Sequence, residues 1–96
     1  AISTLRAFWG RHPDAEHPLQ AWPDAARHAT WKTPQDIKRH YASASFVGRN
    51  RVVFNIKSHD YRLIVAVAYK FQALYIKFVG THAQYDRIDA ATVEDA

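Results

Sequence analysis

A histidine and a tyrosine stand three residues apart in "GTHAQYD", Gly80 to Asp86, just after an apolar run. If Thr81 caps a short helical turn there, positions i and i+3 fall on one side of it. His82 then offers an imidazole, the side chain that exchanges a proton near neutral pH. Tyr85 offers a phenol that can donate a hydrogen bond or stack on a base. Upstream lie Asn55 and Lys57 in "FNIK", Arg62 in "YRL" and Lys77 in "YIKF". A proton carrier beside fixed cations suits a phosphate ester, because the cations hold the negative charge while the ring moves the proton. On pattern alone a plainer reading comes first: Tyr85 packs at a sheet edge and His82 decorates a surface turn.

These side chains need elements to position them. "RVVFNIK" (51–57) alternates, with Val52, Phe54 and Ile56 pointing one way and Arg51, Val53, Asn55 and Lys57 the other. "YRLIVAVAYK" (61–70) is almost continuously apolar, as in a central strand covered on both faces. "ALYIKFVG" (73–80) alternates again, with Leu74, Ile76 and Phe78 expected inward, and "ASFV" (44–47) reads as a shorter first strand. Short links, "SHDY" and "FQ", imply antiparallel hairpins. With "FQ" as a two-residue turn, Ala66 faces Lys77 and Arg62 faces Thr81. With "SHDY" as a four-residue link, Lys57 faces Arg62 and Asn55 faces Ile64. One sheet face then carries Asn55, Lys57, Arg62, Tyr75 and Lys77, with His82 at its rim. Like charges so gathered repel by about 1 kcal/mol per close pair in a water-like dielectric, and a bound anion relieves this.

The first half of the chain reads helical. Ser3 or Thr4 can cap a helix through "LRAFWGRH", ended by Gly10 and Pro13. Pro18 or Asp24 starts a second helix in "PLQAWPDAARHA", whose Leu19, Trp22, Ala26 and Ala29 share a face. "TPQD" at 33–36 is a capped start for a third helix, "PQDIKRHYA". The terminal "ATVEDA" is expected to fray.

Ninety-six residues make one domain, 1–96, with a thin core drawn from 48% hydrophobic residues. There is no cysteine, which removes disulfides and thiolate metal sites and fits a reducing, cytoplasmic setting. No apolar run approaches a membrane span, and "AISTLRAFWGRHPD" has no signal-peptide core, so no membrane association is expected. The chain does not begin with Met, so some residues are expected to precede Ala1. Net charge is +4, and between Arg49 and Gly80 six basic residues face one acidic residue, Asp60. A basic middle suggests a polyanionic partner or an acidic protein, while a solvated face is the commoner reading of charge alone. Arg49 and Arg51 bracket a turn where they can meet backbone phosphate. Lys32, Lys38, Arg39 and His40 form a second basic stretch, read on charge alone as solvated surface. Trp9, Trp22 and Trp31 anchor helices. His12 and His17 lack the companions a metal site needs, so no metal and no cofactor is expected.

The stretch from Ala29 to Ala90, above all "VVFNIK…YRLIVAV" and "THAQYD", resembles the HigB family of bacterial toxins within the RelE/ParE-like superfamily of type II toxin–antitoxin systems. The resemblance implies an α+β fold: N-terminal helices on one face of a small antiparallel sheet, with a short C-terminal helical turn. It implies an mRNA interferase, a metal-independent endoribonuclease that cuts messenger RNA in the 30S decoding site of the ribosome by attack of a 2′-OH on the scissile phosphate. It also implies a HigA-type helix-turn-helix antitoxin as partner, with operator DNA bound only through that complex. On matching positions it makes Arg62 and Lys77 phosphate clamps, His82 the general acid/base and Tyr85 a positioning or protonating group. Asn55, Lys57, Arg51, Arg49 and Asp86 complete the RNA-binding set, Asp86 by orienting a neighbour or capping locally. Roles are exchanged among residues across the superfamily, so the place of the site is firmer than each part in it. Two other classes stand beside the enzyme: a non-catalytic ParE-like toxin that inhibits DNA gyrase by binding, and a general RNA-binding module. The titratable pair beside cations in "THAQYD" favours the enzyme.

Overall fold

A computed structural model describes residues 2–28 and 30–94. Helices α1 (Ile2–Arg11), α2 (Glu16–His28) and α3 (Pro34–His40) come first, with a 3-10 turn at Pro13–Ala15. Four strands follow: β1 (Ser45–Val47), β2 (Arg51–Ile56), β3 (Tyr61–Ala68) and β4 (Ala73–Thr81), then the short helix α4 (His82–Tyr85). The strands form one antiparallel sheet in the order β1-β2-β3-β4. The fold is α+β, as expected. No helix among the described residues is long and apolar enough to cross a membrane.

The helices cover one face because their apolar side chains find the matching set on the strands. Leu5, Phe8, Ala15, Leu19, Trp22, Trp31 and Ile37 join Val52, Phe54, Ile56, Tyr61, Leu63, Val65 and Val67 in one buried cluster, with Trp9 packed at its margin. Each fully buried Leu or Phe contributes about 1.5–3 kcal/mol. The expected cap at Thr33 is present in full: its hydroxyl accepts from the Asp36 N–H, and Asp36 answers to the Thr33 N–H. Helix starts are less well foretold. α1 already includes Ser3, Thr4 and Gly10, and α2 begins before Pro18 and runs through Pro23. The expectations for the side chains of Ala26 and Ala29 lie outside the described residues.

The other sheet face has a smaller core of Val53, Ile64 and Phe78, covered by Tyr85, Ile88, Ala90 and Val93 from the C-terminal segment. The expected fraying of "ATVEDA" is therefore corrected for 91–94: Thr92 and Val93 donate to the Asp89 carbonyl at 3.1 and 3.0 Å, and Val93 packs down on the sheet. β3 is apolar on both sides because helices cover one side and this segment the other.

Both hairpin registers differ from expectation. The β3–β4 link is a 3-10 turn at Tyr69–Phe71 closed by Gln72 at φ 53°, so Ala68 faces Ala73 and Ala66 faces Tyr75. Lys77 is then an extra residue: Ile76 faces Val65, Phe78 faces Ile64, and the ladder shifts between them. This bulge turns Phe78 onto the face opposite Leu74 and Ile76, against the simple alternation. At the other hairpin Ile56 faces Tyr61 and Asn55 faces Arg62, which leaves Lys57 in the turn at φ 51° rather than in the ladder.

Candidate active site

The face bearing Val53, Ile64 and Phe78 gathers most of the residues singled out from sequence. Asn55 and Arg62 are direct cross-strand partners, and Gly80 stands across β3 from Arg62. Gly80 is required there by space: a Cβ would lie 2.5 Å from the Phe78 ring and 2.9 Å from the Gln84 side-chain oxygen. The missing side chain lets α4 settle on the end of the sheet.

α4 starts as its sequence suggests. Thr81 accepts from the Gln84 N–H, and the Gln84 side chain accepts from the Thr81 N–H at 2.8 Å. The His82 N–H donates to the Asp60 carbonyl at 3.2 Å, which ties the start of α4 to the β2–β3 turn. Arg62 reaches the same turn, donating from Nη1 to the His59 carbonyl at 2.9 Å. Its guanidinium also lies 5.6 Å from the centre of the Tyr85 ring, a cation–π contact. Arg62, Tyr85, His82 and Asn55 therefore sit together at one end of the sheet.

His82 and Tyr85 differ in what they face. Tyr85 turns its ring to the sheet and packs on the small core. His82 stays 53% exposed, with Nδ1 3.1 Å from the Asp86 carboxylate. That contact sets a carboxylate beside the imidazole, where it can orient the ring. The Asn55 amide donates to the Ser43 carbonyl at 3.3 Å, tying β2 to the segment before β1.

Lys77 is on the same face but farther along it. Its position three residues before Gly80 corresponds to roughly 10 Å of strand, and its ammonium lies 3.0 Å from Glu94. Arg62 and Lys77 each have a separate partner, so the face carries two cationic spots rather than one converging cluster. Arg51 belongs to the second spot. It is 4% exposed and donates from Nη1 to the Ala90 and Val93 carbonyls at 3.2 and 2.6 Å, while Nη2 lies 3.1 Å from Glu94. Its guanidinium holds the C-terminal segment, which corrects the expectation that it stands open to RNA. Arg49 is exposed in the β1–β2 turn at φ 66°.

Lys57 is corrected too. Its ammonium is 2.6 Å from Asp14, beside the helices, and the Tyr61 hydroxyl donates to the same carboxylate. The turn conformation carries Lys57 away from Arg62. The Lys57 and Tyr61 hydrogen bonds hold the Asp14 carboxyl below its ordinary value, and Asp14 in turn pushes up both Lys57 and Tyr61. These residues clasp the 3-10 turn to the β2–β3 hairpin.

The sequence reading passed over Gly80 and Glu94. A glycine inside an alternating strand is a signal of close approach. Glu94 was hidden by the assumption of a frayed end, although a strand apolar on both sides needs a second cover. Among the described residues no cluster of three or more His, Asp or Glu is arranged to hold a metal ion.

No curated protein matches this chain. A protein-family profile described as HigB_toxin, the RelE-like toxic component of a toxin–antitoxin system, matches residues 15–88. That span holds α2, α3, the whole sheet and α4, including every residue of the Arg62–Tyr85–His82 end. On a match of that extent, the chain belongs to the HigB toxin family of toxin–antitoxin systems.

Proposed function

We propose that this toxin is a metal-independent endoribonuclease that cuts messenger RNA, with the ribosomal decoding site as its place of action. The observation that carries the reading is the shared anchorage of His82 and Arg62 at the β2–β3 turn, with Tyr85 against Arg62 and Asp86 against His82. A proton carrier, a cation and a phenol are anchored at that one end of the sheet, with the His82 side chain exposed.

The reaction is attack by a ribose 2′-oxygen on the adjacent phosphorus. An O2′–P bond forms and the P–O5′ bond breaks, leaving a 2′,3′-cyclic phosphate and a 5′-hydroxyl. One proton leaves the 2′-OH and one reaches O5′, on opposite sides of phosphorus. A single imidazole serves one side at a time, so His82 works on one side and Tyr85 serves the other by donating a hydrogen bond or a proton. Arg62 stabilises the charge that builds on the phosphate oxygens. Lys77 holds RNA backbone further along, and Asn55 and Arg49 line the approach. Asp86 acts through His82.

A toxic component of a toxin–antitoxin system has an antitoxin as its partner. A HigA-type helix-turn-helix protein fits that place, shielding the basic face and carrying the complex to operator DNA.

The test is cleavage of RNA by purified protein, with and without ribosomes, in EDTA. The wild type cleaves, and His82→Ala with Lys77→Ala abolishes both cleavage and growth arrest. A folded double variant that stays toxic removes this site from consideration. A DNA-damage response on induction, with messages intact, favours gyrase inhibition instead.

A further inference from the structure

Lys77, the cation set to hold RNA backbone, is already occupied by a carboxylate of its own chain. Glu94 reaches 3.0 Å from the Lys77 ammonium with one oxygen and 3.1 Å from Arg51 Nη2 with the other. A carboxylate oxygen on the Lys77 ammonium takes the place that a phosphodiester oxygen would take. The hydrogen bond from Lys77, helped by Arg51, holds the Glu94 carboxyl below its ordinary value, so it is charged at neutral pH.

The backbone that delivers Glu94 is firmly held, and its side chain is not. Arg51 donates to the Ala90 and Val93 carbonyls, and Val93 packs against the small core. The Glu94 side chain is 61% exposed, while that of Lys77 is 26% exposed. Rotation about the Glu94 side-chain bonds opens the ammonium without disturbing the anchors beneath it.

From this geometry we infer that Glu94 is a built-in stand-in for a phosphodiester. It occupies the Lys77 ammonium when RNA is absent, steadied from beneath by the buried Arg51, and it swings aside when a backbone phosphate of RNA arrives at Lys77. The inference rests on the reading of this face as an RNA site. Two consequences follow. Glu94 offsets the repulsion between two neighbouring cations in the free toxin. It also competes with every incoming phosphate, which lowers affinity for stray RNA and leaves productive binding to substrates that make contacts along the whole face. An exposed pair of this kind is weak, so Glu94 attenuates binding rather than blocking it.

The experiment measures binding of a labelled, fully 2′-O-methylated RNA, which cannot be cut, at one fixed salt concentration. The proteins are the wild type, Glu94→Gln, Glu94→Asp, Lys77→Gln and the Glu94→Gln/Lys77→Gln pair, each checked by thermal melting. Glu94→Gln is expected to bind about two- to fivefold tighter, the range an exposed ion pair allows. Glu94→Asp should stay near the wild type, and in the Lys77→Gln background the gain should vanish. If Glu94→Gln binds like the wild type while Lys77→Gln weakens binding, the stand-in role is overturned and the RNA site stands. If Glu94→Asp tightens binding as much as Glu94→Gln, a loosened C-terminal segment explains the gain and the inference falls. If Lys77→Gln binds RNA as tightly as the wild type, the RNA reading of the face falls, and the inference with it.

Discussion

At the scale of single residues, the proposed chemistry turns on one imidazole held by one carboxylate. His82 sits at the surface with Nδ1 beside the Asp86 carboxylate. Loss of a general acid or base typically costs 10²–10⁴-fold in rate, so His82→Ala should lower cleavage by about that factor. Asp86→Ala should lower kcat by less and leave KM near the wild type, because Asp86 orients the ring and touches no substrate. Added to His82→Ala, it should cost nothing further, since it acts only through His82. Single-turnover cleavage by the three variants checks this; equal losses from Asp86→Ala in both backgrounds would show that it acts independently. His82, Tyr85 and Asp86 were legible as a group because a capped turn sets their spacing. Their separate orientations were not, because which ring turns to the sheet depends on Arg62 and the small core beneath.

At the scale of elements, the site depends on how β4 runs. The extra residue at Lys77 switches the alternation, so that Phe78 and Gly80 come to the face bearing Arg62. Gly80→Val should drive a side chain into the Phe78 ring and Gln84, costing about 1–3 kcal/mol as overpacking does and lifting α4 off the sheet. Urea denaturation measures the cost, and the loss of cleavage should exceed what the unfolded fraction explains. Wild-type stability with wild-type activity would show that α4 needs no such close approach. Strand identities were readable from period-2 patterning, while registers were not. A one-residue difference in a turn or a bulge moves every later side chain. The "FQ" link, lengthened by a 3-10 turn, and Lys57, drawn into a left-handed turn, are the two places where local geometry overrode the pattern.

At the scale of the whole molecule, one sheet is covered twice, and each cover is latched by polar groups. On the open face Arg51 holds the C-terminal segment. Arg51→Met should remove its hydrogen bonds to Ala90 and Val93 and lower stability by about 2–3 kcal/mol, read from chemical denaturation; an unchanged midpoint would mean that the segment holds itself. On the helix face Asp14 is latched to Lys57 and Tyr61. Its folded-state pKa is depressed, so its contribution is present above the ordinary carboxylate value of 3.8 and fades as pH falls through the lower folded value. Asp14→Asn should therefore melt below the wild type at neutral pH, with the gap closing as pH falls through that lowered folded value. A gap that persists at acid pH would contradict the latch. The helical half, the antiparallel sheet and the need for cover on both sides of β3 could all be read from apolar patterning. That residues 88–94 supply the second cover could not, because so short a stretch outside helix or strand carries no periodic signal.

The central claim is that His82 works beside Arg62 and Tyr85 to cut RNA by 2′-oxygen attack. The most direct measurement maps the new RNA ends formed in cells after brief induction of the wild type and of folded His82→Ala. The account predicts breaks within messages that leave 5′-hydroxyl and cyclic-phosphate ends with the wild type, and their absence with His82→Ala. The same breaks in both, or intact messages in wild-type cells that have stopped growing, would contradict it.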